Sequence, residues 1–454
     1  MYRAKLDFIK ETHHSIINSP FLSLVFFKYL LCADFLLLTV RKNFHLQNMG
    51  SISGKIVCLS ALPQFRKISF LESNSDTNPS SVSFIAGVGD TETQKSNDFR
   101  FGHFSYDYKN NIENLSSENL DGIKFQDTYF FTPRYVFKMA DGFLDVVYDD
   151  KIDTEESVRK LVNEIFREGA VEHTKLLPAI KIQSRFTKQE YIDTIKQVKD
   201  HIHRGDIYEM NFCMEFFAEN AEINPSEVFQ KLNGISGAPF SCFYKIDSNY
   251  LMCASPERFI KKTGNKLLSQ PIKGTARRGK TYEEDEQIKQ KLLLDKKEQS
   301  ENVMIVDLVR NDLSRIAKEG TVGVEELFGI YTFRQVHQMI STVSCELGAN
   351  ISFEEIIRAT FPMGSMTGAP KIRAMELIEK YERSKRGLFS GSVGYITPDG
   401  DFDFNVVIRS ILYNSTNKYL SFQVGSAITA NSNPEQEYEE CMLKAKAMFE
   451  VLGN

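Results

Sequence analysis

The 454-residue sequence contains no tryptophan, and its 26 glycines and 13 prolines are scattered without period. A collagen-like or low-complexity chain is therefore excluded. A cationic excess is also missing: 55 Lys and Arg stand against 60 Asp and Glu, a net charge of −5. Nothing in that balance attracts nucleic acid, so an anionic ligand must be held by a few local cations. The seven cysteines (Cys32, Cys58, Cys213, Cys242, Cys253, Cys345 and Cys441) are odd in number and never form a CxxC pair. They read as buried thiols in a reducing, cytoplasmic compartment rather than as a disulfide framework. An uninterrupted apolar span is lacking too, because residues 21–40 carry Lys28 and Asp34. Each such charge costs about 2.5–3.5 kcal/mol at a bilayer centre, so the segment reads as a buried helix or an ill-fitting leader. Residues 1–48 form an amino-terminal extension on this reading, with Met49 as an alternative start.

What is present is an ordinary folding composition, 42% hydrophobic and 25% charged. At about 150 residues per domain, two or three domains or one large one fit this length. Short β-like runs at 125–131 and 143–148 alternate with turn residues, and the polar stretch 73–99 reads as loops. A helix is expected at about 154–168, followed by a connector around Pro178. Tyr191, Ile195, Val198 and Ile202 recur at helical spacing until Gly205-Asp206, and a strand is expected from Ile207 to Phe217. Residues 259–262 and 266–272 flank a Thr263-Gly264-Asn265 turn, and a second hairpin joins 393–397 to 404–412. One long charged helix is expected from about 283 to 309, and a last helix follows Pro434. Hairpins with long separate helices argue for an α+β fold.

Four groups of residues could carry chemistry. Glu298 and Glu301 stand three apart on one expected helix, and Glu437 and Glu440 repeat the spacing on another. Each pair shares a helix face. Brought together, the four carboxylates would suit Mg²⁺, which takes hard oxygen ligands and keeps waters; apart, they are two solvated faces. Glu257 and Lys273 lie at the ends of the hairpin around Asn265. A three-residue loop places them opposite each other, whereas a two-residue loop puts them on opposite faces. Opposed, they are either a cross-strand ion pair or an acid beside a lysine that must lose its proton to attack. Residues 361–374, FPMGSMTGAPKIRA, lead small residues into Pro370 as an expected first helical residue, where helix N–H groups could meet a carboxylate or phosphate. That segment does not match GxxxxGK[ST]. His337 has no HxxxH or HExxH partner, so a zinc site is excluded there.

In chain order, SPERF, QPIKGT, the KExxE helix, DLVRND, VHQ, GSMTGAPK, GSVGY, IRS and EYEE followed by Lys444 resemble the chorismate-utilising enzymes. The resemblance spans about residues 187–450, which it marks as the chorismate-binding catalytic domain, with 49–180 as the amino-terminal part of the fold. It implies two interleaved halves whose β-sheets pack face to face with helices outside, as in anthranilate synthase component I. It implies Mg²⁺ at Glu301 and Glu440, supported by Glu298 and Glu437, holding the ring carboxylate of chorismate. Ser365, Arg409 and Lys444 fall where the family contacts substrate carboxylates. The glycine turn Gly425-Ser426-Ala427 falls where it supplies backbone N–H groups, and His337 beside the reacting ring.

Branches of the family differ at two positions. Water-adding members place a lysine base where this chain has Glu209, which disfavours that branch. Anthranilate synthases read PIAGT where this chain reads PIKGT. Lys273 resembles the branch that makes 4-amino-4-deoxychorismate, a precursor of 4-aminobenzoate and folate. There a lysine attacks ring carbon 2 and expels the 4-hydroxyl, with the acid at Glu257, before ammonia displaces the lysine at carbon 4. Anthranilate formation is the alternative, and a non-catalytic chorismate-fold binding protein is a reading from another class. Glu209, Phe389 and Ser426-Ala427 depart from the family's usual Gln, Tyr and glycine-rich turn, and FLES at 70–73 resembles its feedback-inhibitor motif. No glutaminase signature occurs, so the ammonia is expected from a separate glutamine amidotransferase subunit. No nucleic-acid or membrane partner is expected.

Overall fold

The computed structural model describes residues 41–47, 64–74, 82–89, 97–166 and 180–453. The expectations for residues 1–40, for Met49 and for Pro178 lie outside them. The described residues form one compact unit.

Two antiparallel sheets dominate it. The first begins at its edge with β1 (Lys42–Gln47), β7 (Phe143–Tyr148), β6 (Tyr135–Ala140), β3 (Val82–Val88) and β2 (Lys67–Glu72). It continues through β10 (Phe240–Ile246), β11 (Asn249–Ser255), β20 (Ser410–Asn414), β21 (Tyr419–Ile428), β9 (Glu209–Ala218) and β17 (Gly368–Ala369), with β8 (Gln183–Ser184) also on β9. The second runs β14 (Ile272–Arg277), β16 (Val336–Glu346), β13 (Lys266–Gln270), β12 (Arg258–Thr263), β19 (Phe402–Asn405), β18 (Ser392–Ile396), β4 (Arg100–Phe104) and β5 (Thr128–Phe131). β15 (Gly323–Thr332) also pairs with β16. Strands from before residue 150 and after residue 200 share both sheets, so the two stretches of chain interleave.

The helices are α1 (Lys109–Glu113), α2 (Glu155–Phe166), α3 (Lys188–His203), α4 (Pro225–Ser236) and α5 (Tyr282–Leu294). They continue as α6 (Lys296–Ser314), α7 (Phe353–Thr360), α8 (Lys371–Tyr381) and α9 (Pro434–Leu452). Among the described residues, no helix is long and apolar enough to cross a membrane.

Side-chain alternation along a strand sorts residues between two cores. Met210, Phe212, Met214 and Phe216 of β9 pack with α3, α4 and α9, while Cys213 and Phe217 join the core between the sheets. Met252 and Ala254 of β11 go one way, Leu251 and Cys253 the other. The five described cysteines are free and buried, as expected.

Four expected boundaries change. The long charged helix is two helices, because Asp295 is extended and its carboxylate caps α6 by accepting from the Lys297 and Glu298 N–H groups, at 2.9 and 3.2 Å. The first hairpin has a two-residue loop, since Thr263 pairs with Lys266. The second hairpin's return arm stops at Asn405, and 406–409 cross to the other sheet, with Arg409 at φ 51°. Pro370 is extended and precedes α8, while Gly368 and Ala369 pair with Met210 and Glu209.

Candidate active site

The two-residue loop decides how Lys273 sits. After Pro271 the chain leaves the β12–β13 hairpin, and β14 pairs with β16 instead. Glu257 and Lys273 are therefore not cross-strand partners. Lys273 Nζ donates instead to Glu209 Oε1 at 2.7 Å, with only 10% and 2% of the two side chains exposed. Burial opposes the charge on Lys273, but Glu209, Glu301 and Glu257 outweigh it and raise its pKa. The amine rests as an ammonium.

Glu257 lies close enough to feel that charge, yet its own hydrogen bond comes from Ser365 Oγ at 2.7 Å. Burial pushes its carboxyl up to about 7, against the pull of Ser365, Lys273, the Ile272 N–H and Arg409. Gly274, at φ 88°, brings β14 close to α6; a Cβ there would stand 3.2 Å from Glu298 Oε2 and from Leu292. Arg386 and Glu382, a buried ion pair that sequence reasoning missed, brace the site floor. Arg386 donates to the Met366 and Asn211 carbonyls at 2.6 and 2.8 Å, and Glu382 accepts from the Cys213 N–H.

The two glutamate pairs do face each other, on α6 and α9, but around a cation absent from the sequence-based set. Lys297 resists burial and keeps a raised pKa through Glu301, Glu437, Glu298 and Glu440. Its Nζ stands 3.8 Å from Glu301 Oε1. That oxygen is buried and has no hydrogen bond, and burial foremost raises the Glu301 carboxyl to about 7. Glu440 accepts from Lys444 at 2.7 Å; burial raises its pKa, but Lys444 and other lysines bring it below the usual value. Among the described residues no three His, Cys, Asp or Glu side chains converge as a ready-made metal cage. In donor chemistry the set suits a hard divalent ion: carboxylate oxygens, one of them buried and unsatisfied.

Gly425, Ser426 and Ala427 are not a turn. They lie in β21, paired with Cys213, Phe212 and Asn211 of β9. Cys213 N–H bonds Glu382, Asn211 N–H bonds the Thr367 carbonyl, and Lys444 Nζ bonds the Gly425 carbonyl at 2.9 Å. At these positions the ladder therefore points its backbone groups away from β9. β20 pairs only with Tyr419 to Phe422, so the Gly425 and Ala427 N–H groups face the edge it leaves uncovered. Gly425 must be glycine, since a Cβ would meet Cys213 Sγ at 2.4 Å. The strand edge, rather than a loop, is what offers N–H groups here.

Arg409 lies where the chain crosses between sheets, and burial lowers its pKa while Glu257 opposes that. Phe389 is buried. His337 is fully buried, with Nδ1 3.0 Å from Thr332 Oγ1 and Nε2 2.8 Å from Asp285 Oδ1. Residues 274–281 spell GTARRGKT, a match to the phosphate-loop pattern, but the first four of them are in β14. The Gly279 and Lys280 N–H groups are taken by Asp285 and Glu284 of α5, at 2.6 and 2.8 Å. Two carboxylates fill the place a phosphate would need.

The family model for chorismate binding enzymes matches residues 58–450. Anthranilate synthase component 1 of Aquifex aeolicus is 32% identical over 365 residues, covering 77% of this chain and 73% of its own. Aminodeoxychorismate synthase component 1 of Bacillus subtilis is 32% identical over 364 residues, covering 77% and 76%. The crystal structure of anthranilate synthase component I from Streptococcus pneumoniae superposes with a TM-score of 0.70 over 90% of this chain and 92% of that one, at 24% identity. The fold is thus the one expected, two face-to-face sheets with outer helices.

Proposed function

The chain belongs to the chorismate-binding enzymes, and from that premise we propose that it aminates chorismate to 4-amino-4-deoxychorismate, the reaction of aminodeoxychorismate synthase component I. The observation that carries this reading is Lys273, a buried primary amine hydrogen-bonded to Glu209 and within the fields of Glu257 and Glu301. Ser365, Arg409, Lys444 and the N–H groups of Gly425 and Ala427 bind the substrate's carboxylates. Glu301 and Glu440, supported by Glu298 and Glu437, would hold Mg²⁺, which supplies positive charge to the ring carboxylate.

Lys273 releases one proton to water and its lone pair forms a bond to ring carbon 2, leaving the bonded nitrogen a secondary ammonium. The ring double bonds shift and the carbon 4–oxygen bond breaks. Glu257 rests close to half protonated near neutral pH, with its carboxyl at about 7, and hands its proton to the departing hydroxyl, which leaves as water. Ammonia then attacks carbon 4, the double bonds return, and Lys273 is released. His337, on β16 where it pairs with the strand that carries Lys273, is the histidine we place beside the reacting ring. A separate glutamine amidotransferase subunit supplies the ammonia, and adding it should let glutamine replace ammonium without changing the product.

The Aquifex relative favours one other reading, anthranilate formation. Product analysis of the purified chain with chorismate, Mg²⁺ and ammonium separates the two. We expect 4-amino-4-deoxychorismate; anthranilate formed without any added lyase would overturn the assignment.

A further inference from the structure

Glu209 uses only half of its carboxylate. Oε1 holds Lys273 at 2.7 Å, while Oε2 is buried without a hydrogen-bond partner. The residue is 1% exposed, and its backbone is pinned by Ala369 of β17. An ionised oxygen left dry and unpaired is costly unless a donor arrives to fill it. Five carboxylates act on Lys273: Glu209 from β9, Glu257 from the β11–β12 connection, Glu298 and Glu301 from α6, and Glu440 from α9. Glu209 is the one that bonds it directly and has a second oxygen to spare. What would fill Oε2 is a small cation with N–H donors.

We propose that Glu209 Oε2 receives the ammonium ion that supplies the amino group, and that this carboxylate passes the ion's proton on to Lys273. The inference rests on the reading of Lys273 as a nucleophile that is later displaced. Its steps balance. Ammonium gives one proton to Glu209 and becomes ammonia. Ammonia's lone pair forms the bond to carbon 4 while the bond between carbon 2 and Lys273 breaks, its electron pair returning to the lysine nitrogen. The proton on Glu209 then moves to the free amine through the Oε1 contact, restoring the carboxylate–ammonium pair of the resting site. Water returns to Glu257 the proton that Lys273 first gave up, so no further co-reactant is needed.

The test is steady-state kinetics of the full chain with Mg²⁺, chorismate and ammonium chloride. Glu209→Gln keeps the shape but loses the charge, and is expected to raise the KM for ammonium about tenfold or more, the weight of one charge-assisted hydrogen bond. The KM for chorismate should stay within about threefold on the same grounds. An unchanged ammonium KM, or an equal rise in both, overturns the proposal. Chorismate without ammonium should still modify Lys273 in Glu209→Gln, read by mass. Loss of that adduct with an unchanged ammonium KM means Glu209 serves Lys273 alone, again overturning it. If circular dichroism shows Glu209→Gln unfolded, Glu209→Asp decides. Withdrawal by one methylene should raise the ammonium KM about threefold or more, and no change overturns the idea. A wild type that never forms the adduct refutes the Lys273 reading instead, and the ammonium KM then judges the subsite by itself.

Discussion

Lys273 and Lys297 both sit among glutamates, yet their surroundings make them different chemical objects. Lys273 projects from a strand into the space between the sheets, with 10% of its side chain exposed and a 2.7 Å bond to Glu209. Lys297 lies in the first turn of α6, with 54% exposed and its nearest glutamate oxygen 3.8 Å away. A dry, hydrogen-bonded amine keeps one geometry, which bond-making requires. A half-exposed one is screened by solvent and can be displaced by a competing cation. On our reading the first is the nucleophile, and the second stands in a carboxylate set built for a metal.

The largest effect should come from breaking that set. Glu301→Gln or Glu440→Gln is expected to cut Mg²⁺-dependent turnover about a hundredfold or more while the fold persists by circular dichroism. Near-wild-type turnover in both would remove the metal assignment. Urea unfolding should then separate the two lysines. Lys273→Met leaves Glu209 buried and unpaired and should cost about 3–5 kcal/mol. Lys297→Met should cost about 1 kcal/mol or less. Equal losses would show that burial does not distinguish the two sites.

A pH profile sharpens the dry side. The Glu257 carboxyl, ordinarily at 4.5, is raised to about 7, so its protonated form is lost as pH rises through about 7. At a fixed, saturating concentration of ammonium, kcat/KM for chorismate should fall across that range. The same shift makes burial of Glu257 progressively more costly from pH 4.5 to about 7, and no more so above. A flat profile would mean that Glu257 is not the acid. The smallest effect concerns the helix break: Asp295→Ala removes the α6 cap and should cost about 1 kcal/mol in thermal unfolding.

Much of this was legible in the sequence, unevenly so. Helices α3 and α9 announce themselves through apolar spacing and through their stop or start residues Gly205 and Pro434. The glutamate pairs were visible because helix spacing puts them on one face. Partners across the sheets were not. EMNFCMEFFA in β9 is nearly all buried on both faces, so alternation gives no sign that Glu209 points toward Lys273. One residue of loop length at Gly264-Asn265 likewise separates Glu257 from Lys273 as cross-strand partners. Lys297 escapes notice in the sequence because a lysine beside glutamates on a helix looks like a surface ion pair. The family resemblance singled out Arg409 and Gly425 without revealing that one sits at a sheet crossing and the other on a strand edge.

The most direct test of the central claim is the mass of Lys273 after mixing the enzyme with chorismate and Mg²⁺ in the absence of ammonia. A nucleophile that is later displaced must first be attached, so a chorismate-derived mass should appear on Lys273 and be absent from Lys273→Ala. If no adduct is ever trapped, and Lys273→Ala makes 4-amino-4-deoxychorismate at the wild-type rate, Lys273 is an electrostatic contact and the account of its chemistry is wrong.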